Sequence, residues 1–567
     1  MKVLKHIILL VLLFAVKYIA AQNQLLIPPA LTGTVFNLNI QTGNSTGLIP
    51  GHTIPTKGFN GNILGPTLVM NKGDLVTINV TNLLNETTTV HWHGFHVSPE
   101  NDGNPHSPIE PLQTYTPSFT VMDKAGTRWY HPHLHERTAK QVAQGLAGMI
   151  IVHDAEETAL NLPVTYGVDD IPLIIQTKSI DPVADTIRYP TPTVQNGTSF
   201  GNRDSILLVN ATRNPFVSVP RQMVRFRVLN GSQQRVFQLG LSNNANFYQI
   251  ACDDGLLNNR YTTNRVRLSP GERADIVVDF SGFTVGQSVT LMSYGSEIHN
   301  GIWGSLYPVL DPAGPPTNYN PNTMNGANFS VIQFNVIAQT ANPILTIPTV
   351  LSSDVPLLAA NATVTRNKYL LTSQGTPRIG KTDTANSASV FNIDVVDDSI
   401  QLNTTEIWVL HGDPKQYHSF HLHDMHFYIL DRKDSNNVVT LPNGSENGRK
   451  DVLFVNPKET VRVISRFEDF TSDVPYVYHC HILVHEDKGM MKQFIVMDKI
   501  YVDKNYVGTE TGSLNQPFNT FREAVAAAKD GSTIVFKSGL DHQETLPPLL
   551  ITKRIRIQLL SGPVIIK

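Results

Sequence analysis

Four short stretches of this 567-residue chain place histidines two residues apart. They are His91-Trp92-His93, His131-Pro132-His133, His418-Ser419-Phe420-His421-Leu422-His423 and His479-Cys480-His481, the last followed by His485 and Met490. In a β-strand, residues two apart point to the same face, so each His-x-His pair is expected to aim two imidazoles at one spot. Four such pairs offer eight nitrogen ligands, enough for three metal ions with positions left open for a substrate. One His-x-His is weak evidence for a metal. Four in order, one of them with Cys, His and Met embedded, leave ordinary core or surface histidines a poor account.

The fourth stretch says most about the metal. On a strand, His479 and His481 face one side and Cys480 the other. A thiolate joined there by His485, by His418 and by a weak axial thioether from Met490 is the ligand set of a blue-copper electron-transfer site. Cys480 is also bonded through the backbone to both histidines of the other centre, which makes a covalent path from a one-electron copper to a multi-metal cluster. Cys252 is the only other cysteine. A disulfide between the two is formally open, but the setting of Cys480 argues against it, and Cys252 reads as a small buried apolar residue.

The elements that must position these groups are strands. Leu75–Val80, Val224–Val228 and Asp275–Phe280 alternate apolar and polar residues, with Gly, Pro, Asn and Asp between such runs, as in β-sandwiches. A weak repeat is visible. Val90–Gly94, Val236–Gly240 and Phe420–Asp424 stand in the same role, with histidines in the first and third and apolar residues in the second. Boundaries are expected near residues 160, 345 and 500. Residues 501–567 differ in kind, with Gly-Ser turns, a helix over 520–529 and the apolar runs Leu549–Ile551 and Ile555–Ile557, and they resemble the opening turns of a parallel β-helix. So short a solenoid has to dock on something.

Net charge is -3 with 16% charged residues, which points away from nucleic acid and anionic membrane surfaces. Lys2 and Lys5, the apolar run Ile7–Val16 and the small pair Ala20-Ala21 read as an export signal over residues 1–21, too short for a membrane span. The expected location is periplasmic, cell-surface or extracellular.

Taken together, the four stretches resemble the copper signatures of the multicopper oxidase family, which includes laccases, bilirubin oxidases and cuprous oxidases. The resemblance covers roughly residues 30–500 and extends to the text at 129–152 and 268–280. It implies an all-β chain of three cupredoxin-like Greek-key sandwiches, over 22–160, 161–345 and 346–500. It implies four coppers, three of them in a cluster between the first and third sandwiches. Matched to the family's motifs, a type 1 copper falls to His418, Cys480 and His485 with Met490 axial, and a type 2 copper to His91 and His421. A type 3 pair falls to His93, His131, His133, His423, His479 and His481. Ser419 stands where proline is usual and Asp424 where glycine is usual. His96, His135 and His426 have no role in the pattern, and His106, His299 and His411 read as ordinary histidines.

The implied reaction is laccase-like, with single electrons taken from phenols or aromatic amines and dioxygen reduced to water. Acids matching Glu486 and Asp102 serve similar oxidases as proton relays. Met490 as axial residue implies a modest potential and hence electron-rich organic donors. A metallo-oxidase acting on Cu(I), Fe(II) or Mn(II) is the nearest alternative. The 11 methionines form no cluster of the kind that goes with cuprous donors. Asp413 and Asp424 flank the type 1 ligands by sequence and fit a phenol or a metal ion equally. A non-catalytic copper-binding cupredoxin assembly is the alternative of another class, and residues 501–567 also fit a module for attachment to a surface or polysaccharide.

Overall fold

The structure is a computed structural model that describes residues 22–189, 204–310, 322–373, 376–383, 388–537 and 549–560. The export signal read over residues 1–21 lies outside the described residues. Among the described residues, no helix is long and apolar enough to cross a membrane.

Six sheets build three sandwiches of two sheets each. Val35–Ser45 shows why. Phe36, Leu38 and Ile40 turn inward while Val35, Asn37 and Asn39 face water, and the inward set packs on Leu68, Trp92, Tyr130 and Ile150 of the opposing sheet. The strand orders repeat. In the first sandwich Thr67–Asn71, Gly148–His153, Gly126–His131 and His91–His93 lie side by side. Pro215–Pro220, Asn328–Ile337, Ser288–Tyr294 and Phe237–Leu241 have the same order in the middle one. Asp398–Gln401, Met491–Met497, Tyr476–Cys480 and His418–Leu422 have it in the third. The weak repeat in the sequence is thus one topology used three times. One strand trades places: Asn23–Gln24 pairs in parallel with Pro215–Pro220 and so adds an edge to the middle sandwich.

Charged residues join the first sandwich to the middle one. The Arg225 guanidinium, fully buried, donates to Glu157 and to Asp275, each at 2.5 Å, and the Thr127 hydroxyl donates to Asp275 at 2.7 Å. Breaking one partner of such a buried set costs about 3–5 kcal/mol, because a charge is left without compensation.

Beyond the third sandwich, Lys499–Val502, Thr533–Phe536 and Arg556–Leu559 form a three-stranded parallel sheet with Ile500, Ile534 and Ile557 in register. The helix Phe521–Ala527 covers it, started by Thr520 and Glu523 in a reciprocal capping box. This in-register parallel stacking is what the β-helix reading anticipates. Of the two late apolar runs only the second lies in a strand. Leu549–Ile551 forms none, and Leu550 is largely exposed. The segment docks on the third sandwich through the Arg556–Asp473 ion pair and the Ser532–Asp498 hydrogen bond.

Candidate metal centre

The same two-strand frame presents histidines from both ends of the chain. His91–His93 runs antiparallel to Gly126–His131, with His91 opposite His131. His418–Leu422 runs antiparallel to Tyr476–Cys480, with His421 opposite His479. The first and third sandwiches press these frames together, so that the His91 ring stacks on His423 at 3.9 Å and His93 on His421 at 3.8 Å. All eight imidazoles are buried.

Their hydrogen bonds fix which nitrogens carry lone pairs. The Nδ1–H of His91 donates to the Asp102 carbonyl and that of His421 to the Asp451 carbonyl, both at 2.8 Å, which leaves both Nε2 atoms bare, buried and without a hydrogen-bond partner. His423 Nδ1 donates to Asp102 Oδ2 at 2.9 Å and His479 Nδ1 to the Cys480 carbonyl at 3.2 Å. Their Nε2 atoms then meet each other at 3.3 Å and His133 Nε2 at 3.2 and 3.0 Å. His131 donates Nδ1–H to the Pro132 carbonyl and His93 its Nε2–H to Asp451, so that bare nitrogens face each other at 3.4 Å. Burial first, then neighbouring imidazoles, hold His93, His131, His133, His421, His423, His479 and His481 well below the usual imidazole value. Neutral rings with converging lone pairs repel unless a cation sits between them. The residues fit metal ions.

Three groups of ligand atoms gather within 4.8 Å: His93, His131 and His481; His133, His423 and His479; His91, His421 and His423. This corrects, for three of the four pairs, the expectation that each His-x-His pair aims at one spot. The pairs 91/93, 131/133 and 479/481 are each split between neighbouring groups, whereas His421 and His423 meet in one group with His91. The two frames interleave their rings, His91 on His423 and His93 on His421, so most rings find their nearest partners in another stretch.

On the other face of the Tyr476–Cys480 strand, Cys480 Sγ lies 3.4 Å from His418 Nδ1 and 3.6 Å from His485 Nδ1. His418 shares a strand with His421, and His485 rides on the helix Leu483–Asp487. That helix packs on Thr138–Ala143, whose first amides, Thr138 and Ala139, donate to Asp487 at 2.9 Å. Met490 is fully buried in the same core as Cys480, and its carbonyl accepts the Cys480 N–H at 3.0 Å. Burial pushes the Cys480 thiol up to about 12, so a thiolate here needs a cation.

The two sequence-predicted acids lie against the cage. Asp102 bridges the sandwiches, bonded to His423 and 3.2 Å from His91 Nδ1. Glu486 lies 3.3 Å from His479 Nδ1 and 3.5 Å from His133 Nδ1. Burial, and then the Asp487 carboxylate, hold the Glu486 carboxyl well above the usual range.

Asp413 and Asp424 do not serve an exposed face. His418 and Cys480 are fully buried, His485 nearly so, and Asp413 is buried too, accepting the backbone N–H groups of Lys415 and Gln416. Asp424, at φ +68°, turns inward to His96 at 2.8 Å. Ser419 bonds outward to the middle sandwich, to Ser269 Oγ at 2.8 Å and the Pro270 carbonyl at 2.9 Å. His426 pairs with Arg449, His106 with Gln493 and His411 with Asn367. Cys252 donates to the Arg449 carbonyl at 3.1 Å, and both cysteines are free thiols.

The sequence reading missed Asp451 and Arg273. Asp451 mirrors Asp102, taking His421 on its carbonyl and His93 on its carboxylate. The Arg273 guanidinium of the middle sandwich clamps that carboxylate at 2.6 and 2.5 Å. The stretch 268–280 was part of the family-like text, and that was the only signal available.

Three sandwiches with a histidine cage between the outer two and a Cys-His-His site one residue away define a cupredoxin-type oxidoreductase frame. A multicopper oxidase family model matches residues 42–157 and a second one residues 361–499. The multicopper oxidase mco of Staphylococcus haemolyticus is 32% identical over 441 residues, 78% of this chain and 84% of that protein. The cell division protein FtsP of Dickeya dadantii is 30% identical over 78% of this chain and 85% of its own length. Among solved structures, a bacterial laccase-like multi-copper oxidase CueO from Ochrobactrum sp. superposes with a TM-score of 0.70 at 28% identity, over 83% of this chain and 100% of its own. The chain belongs to the multicopper oxidase family.

Proposed function

We propose that this protein is an exported, laccase-type oxidase that takes single electrons from phenols or aromatic amines and reduces dioxygen to water. The observation that carries the proposal is the completeness of the two sites: every histidine of the four stretches, and Cys480, is buried with a ligand atom turned toward its group. In this reading His418, Cys480 and His485, joined by Met490, would hold a type 1 copper, and His91 and His421 a type 2 copper. His93, His131 and His481 hold one type 3 copper, and His133, His423 and His479 the other. Bound copper supplies the one-electron steps and the four-electron reduction of dioxygen.

The chain's own residues do the rest. Cys480 carries the through-bond path, since its backbone leads directly to His479 and His481. His485, slightly less buried than His418, is the edge that an organic donor approaches. Asp102 and Glu486 lie on the Nδ1 side of His423, His91, His479 and His133, where they would relay the four protons that the reduction of dioxygen requires. The buried walls keep bulk water from the reacting oxygen.

A cell-division role without oxidase chemistry, prompted by the FtsP relatives, is disfavoured by the intact ligand set. The laccase-like relative from Ochrobactrum, described with activity towards lignin model compounds, supports organic donors. The test is oxygen uptake by copper-loaded protein with an electron-rich phenol, and with cuprous ion as the parallel donor. Rapid uptake with the phenol and little with cuprous ion is the expected result. The reverse makes this a metallo-oxidase. Blue colour without uptake from any donor makes it a copper-binding protein of another role.

A further inference from the structure

Four buried arginines of this protein are held closely by carboxylates, unlike the half-buried Arg267. Arg225, Arg227, Arg273 and Arg432 each meet a carboxylate at 2.5–2.8 Å. Burial opposes their charge, yet these partners hold all four guanidinium groups above the usual arginine value. Arg267 goes the other way. Burial, and then the neighbouring Arg432 charge, hold it below that value. Among the described residues its side chain makes no ion pair and no hydrogen bond. Its only close partner is the Phe454 ring, over which the guanidinium lies at 4.0 Å.

Arg267 lines a cleft of about 240 Å³ between the middle and third sandwiches. The two carboxylates on the wall are already engaged, Glu446 by Arg432 at 2.6 Å and Glu272 by Lys450 at 3.1 Å. Lys450 is held in addition by Asp253 at 2.8 Å. Gln238, directly across the strand pair from Arg267, also lines the cleft, and its side-chain amide donates to no described residue. The unused groups here are the donors of Arg267 and Gln238, with one buried acceptor, Gln249 Oε1, beside them. Phe454 packs against the guanidinium without using its N–H groups, which are left to bind a planar or tetrahedral oxyanion.

We propose that this cleft is a binding site for a small oxyanion held by Arg267 and Gln238, either inorganic phosphate or the carboxylate of a small organic acid. A metal cation is a poor fit, because the wall's carboxylates are neutralised and a free guanidinium faces the space. The site is separate from the histidine cage and does not depend on the oxidase reading.

The test is calorimetric titration of the copper-loaded protein with inorganic phosphate and, separately, with benzoate, in a buffer free of other oxyanions. Saturable binding with a Kd of about 1 mM or tighter, weakened at least about tenfold in Arg267→Gln and partly kept in Arg267→Lys, is expected. The tighter of the two probes identifies the source of the oxyanion. Binding should also raise the unfolding midpoint of the parent protein and not that of Arg267→Gln, since a ligand stabilises only the state it binds. Equal affinity in parent and Arg267→Gln overturns the proposal, and so does the absence of saturation by about 10 mM. If Arg267→Gln fails to fold, Gln238→Leu decides: unchanged affinity there overturns the site as described.

Discussion

The middle sandwich and the seam between the outer two start from one strand order and end with opposite contents. At the seam, His91–His93 and His418–Leu422 lie against partner strands that carry His131 and His479. At the matching place in the middle sandwich, Phe237–Leu241 lies against Ser288–Tyr294, and Leu239, Leu241 and Leu291 fill an apolar core. The fold supplies a frame, and only the residues decide whether it holds metal or oil. The middle sandwich still reaches the seam from outside. Arg273 grips Asp451, Ser269 bonds Ser419, and Gly271 lies under the His481 ring.

The two cysteines give the sharpest test of that difference, and the largest expected effect. Both are buried, and burial pushes both thiols up to about 12. Cys480 faces two imidazoles, whereas Cys252, in the middle sandwich, faces a backbone carbonyl. Cys480→Ser should abolish the blue absorption and cut turnover roughly a thousandfold, equivalent to about 4 kcal/mol of barrier. Cys252→Ser should leave both within about twofold, as expected for a thiol whose only role is packing. Visible spectra and oxygen uptake on the two variants check this. A colourless Cys252→Ser would break the comparison.

Next in size is Glu486→Gln, which keeps the shape of the side chain and removes its proton. Turnover should fall by roughly a hundredfold while the blue colour stays, because the carboxyl touches His133 and His479 and not the Cys480 site. A solvent isotope effect on turnover that differs between parent and variant would tie the loss to proton delivery. Normal turnover would remove Glu486 from the relay.

How far the seam could be read from sequence follows from where each contact lies. His91 and His93 announce themselves, because strand alternation puts neighbours two apart on one face, and His421 does so on a strand that ends one residue before His423. The embedded Cys480 marks the second site for the same reason. Strand alternation does not carry on through His131-Pro132-His133, since the strand ends at His131, nor through His481, since the other ends at Cys480. Those rings are aimed by the turns that follow. Asp451 and Arg273 carry no local pattern at all. They act across distances of 178 and 358 residues in the chain, to each other and to His93, and only the packed sandwiches bring them together. Asp424 misled for a related reason: it follows a ligand in sequence, yet its left-handed backbone turns it to His96, away from any donor's approach.

Arg273→Met asks whether the middle sandwich matters to the seam. It removes the guanidinium that clamps the Asp451 carboxylate in a dry interior, at a cost of about 3–5 kcal/mol. It also frees Asp451 from orienting His93, which should weaken copper binding in the cage by about 10–100-fold. The Cys480 site makes no contact with Arg273, so the colour should persist while the cage empties first. Copper titration followed by both visible absorption and total metal separates the two. Loss of copper from both sites together would mean that the middle sandwich supports the whole third sandwich and not the seam in particular.

The smallest effect is also the most selective. Gly271 sits at φ +87°, and a Cβ there would come within 3.0–3.1 Å of the His481 ring. Gly286, in the same sandwich, has φ +91° with nothing within 4 Å. Alanine at either position forces an L side chain into left-handed backbone, costing about 1–2 kcal/mol. That shared cost should lower both unfolding midpoints by about 2–4 °C. Only Gly271→Ala also pushes on His481, by a few tenths of an ångström. Its oxygen uptake should fall several-fold, while Gly286→Ala keeps the parent rate, because the rate of a positioned reaction is sensitive to small displacements of a ligand. Equal rates in the two variants would show that His481 gives way freely, and that the middle sandwich holds the seam through Arg273 and Ser269 without help from Gly271.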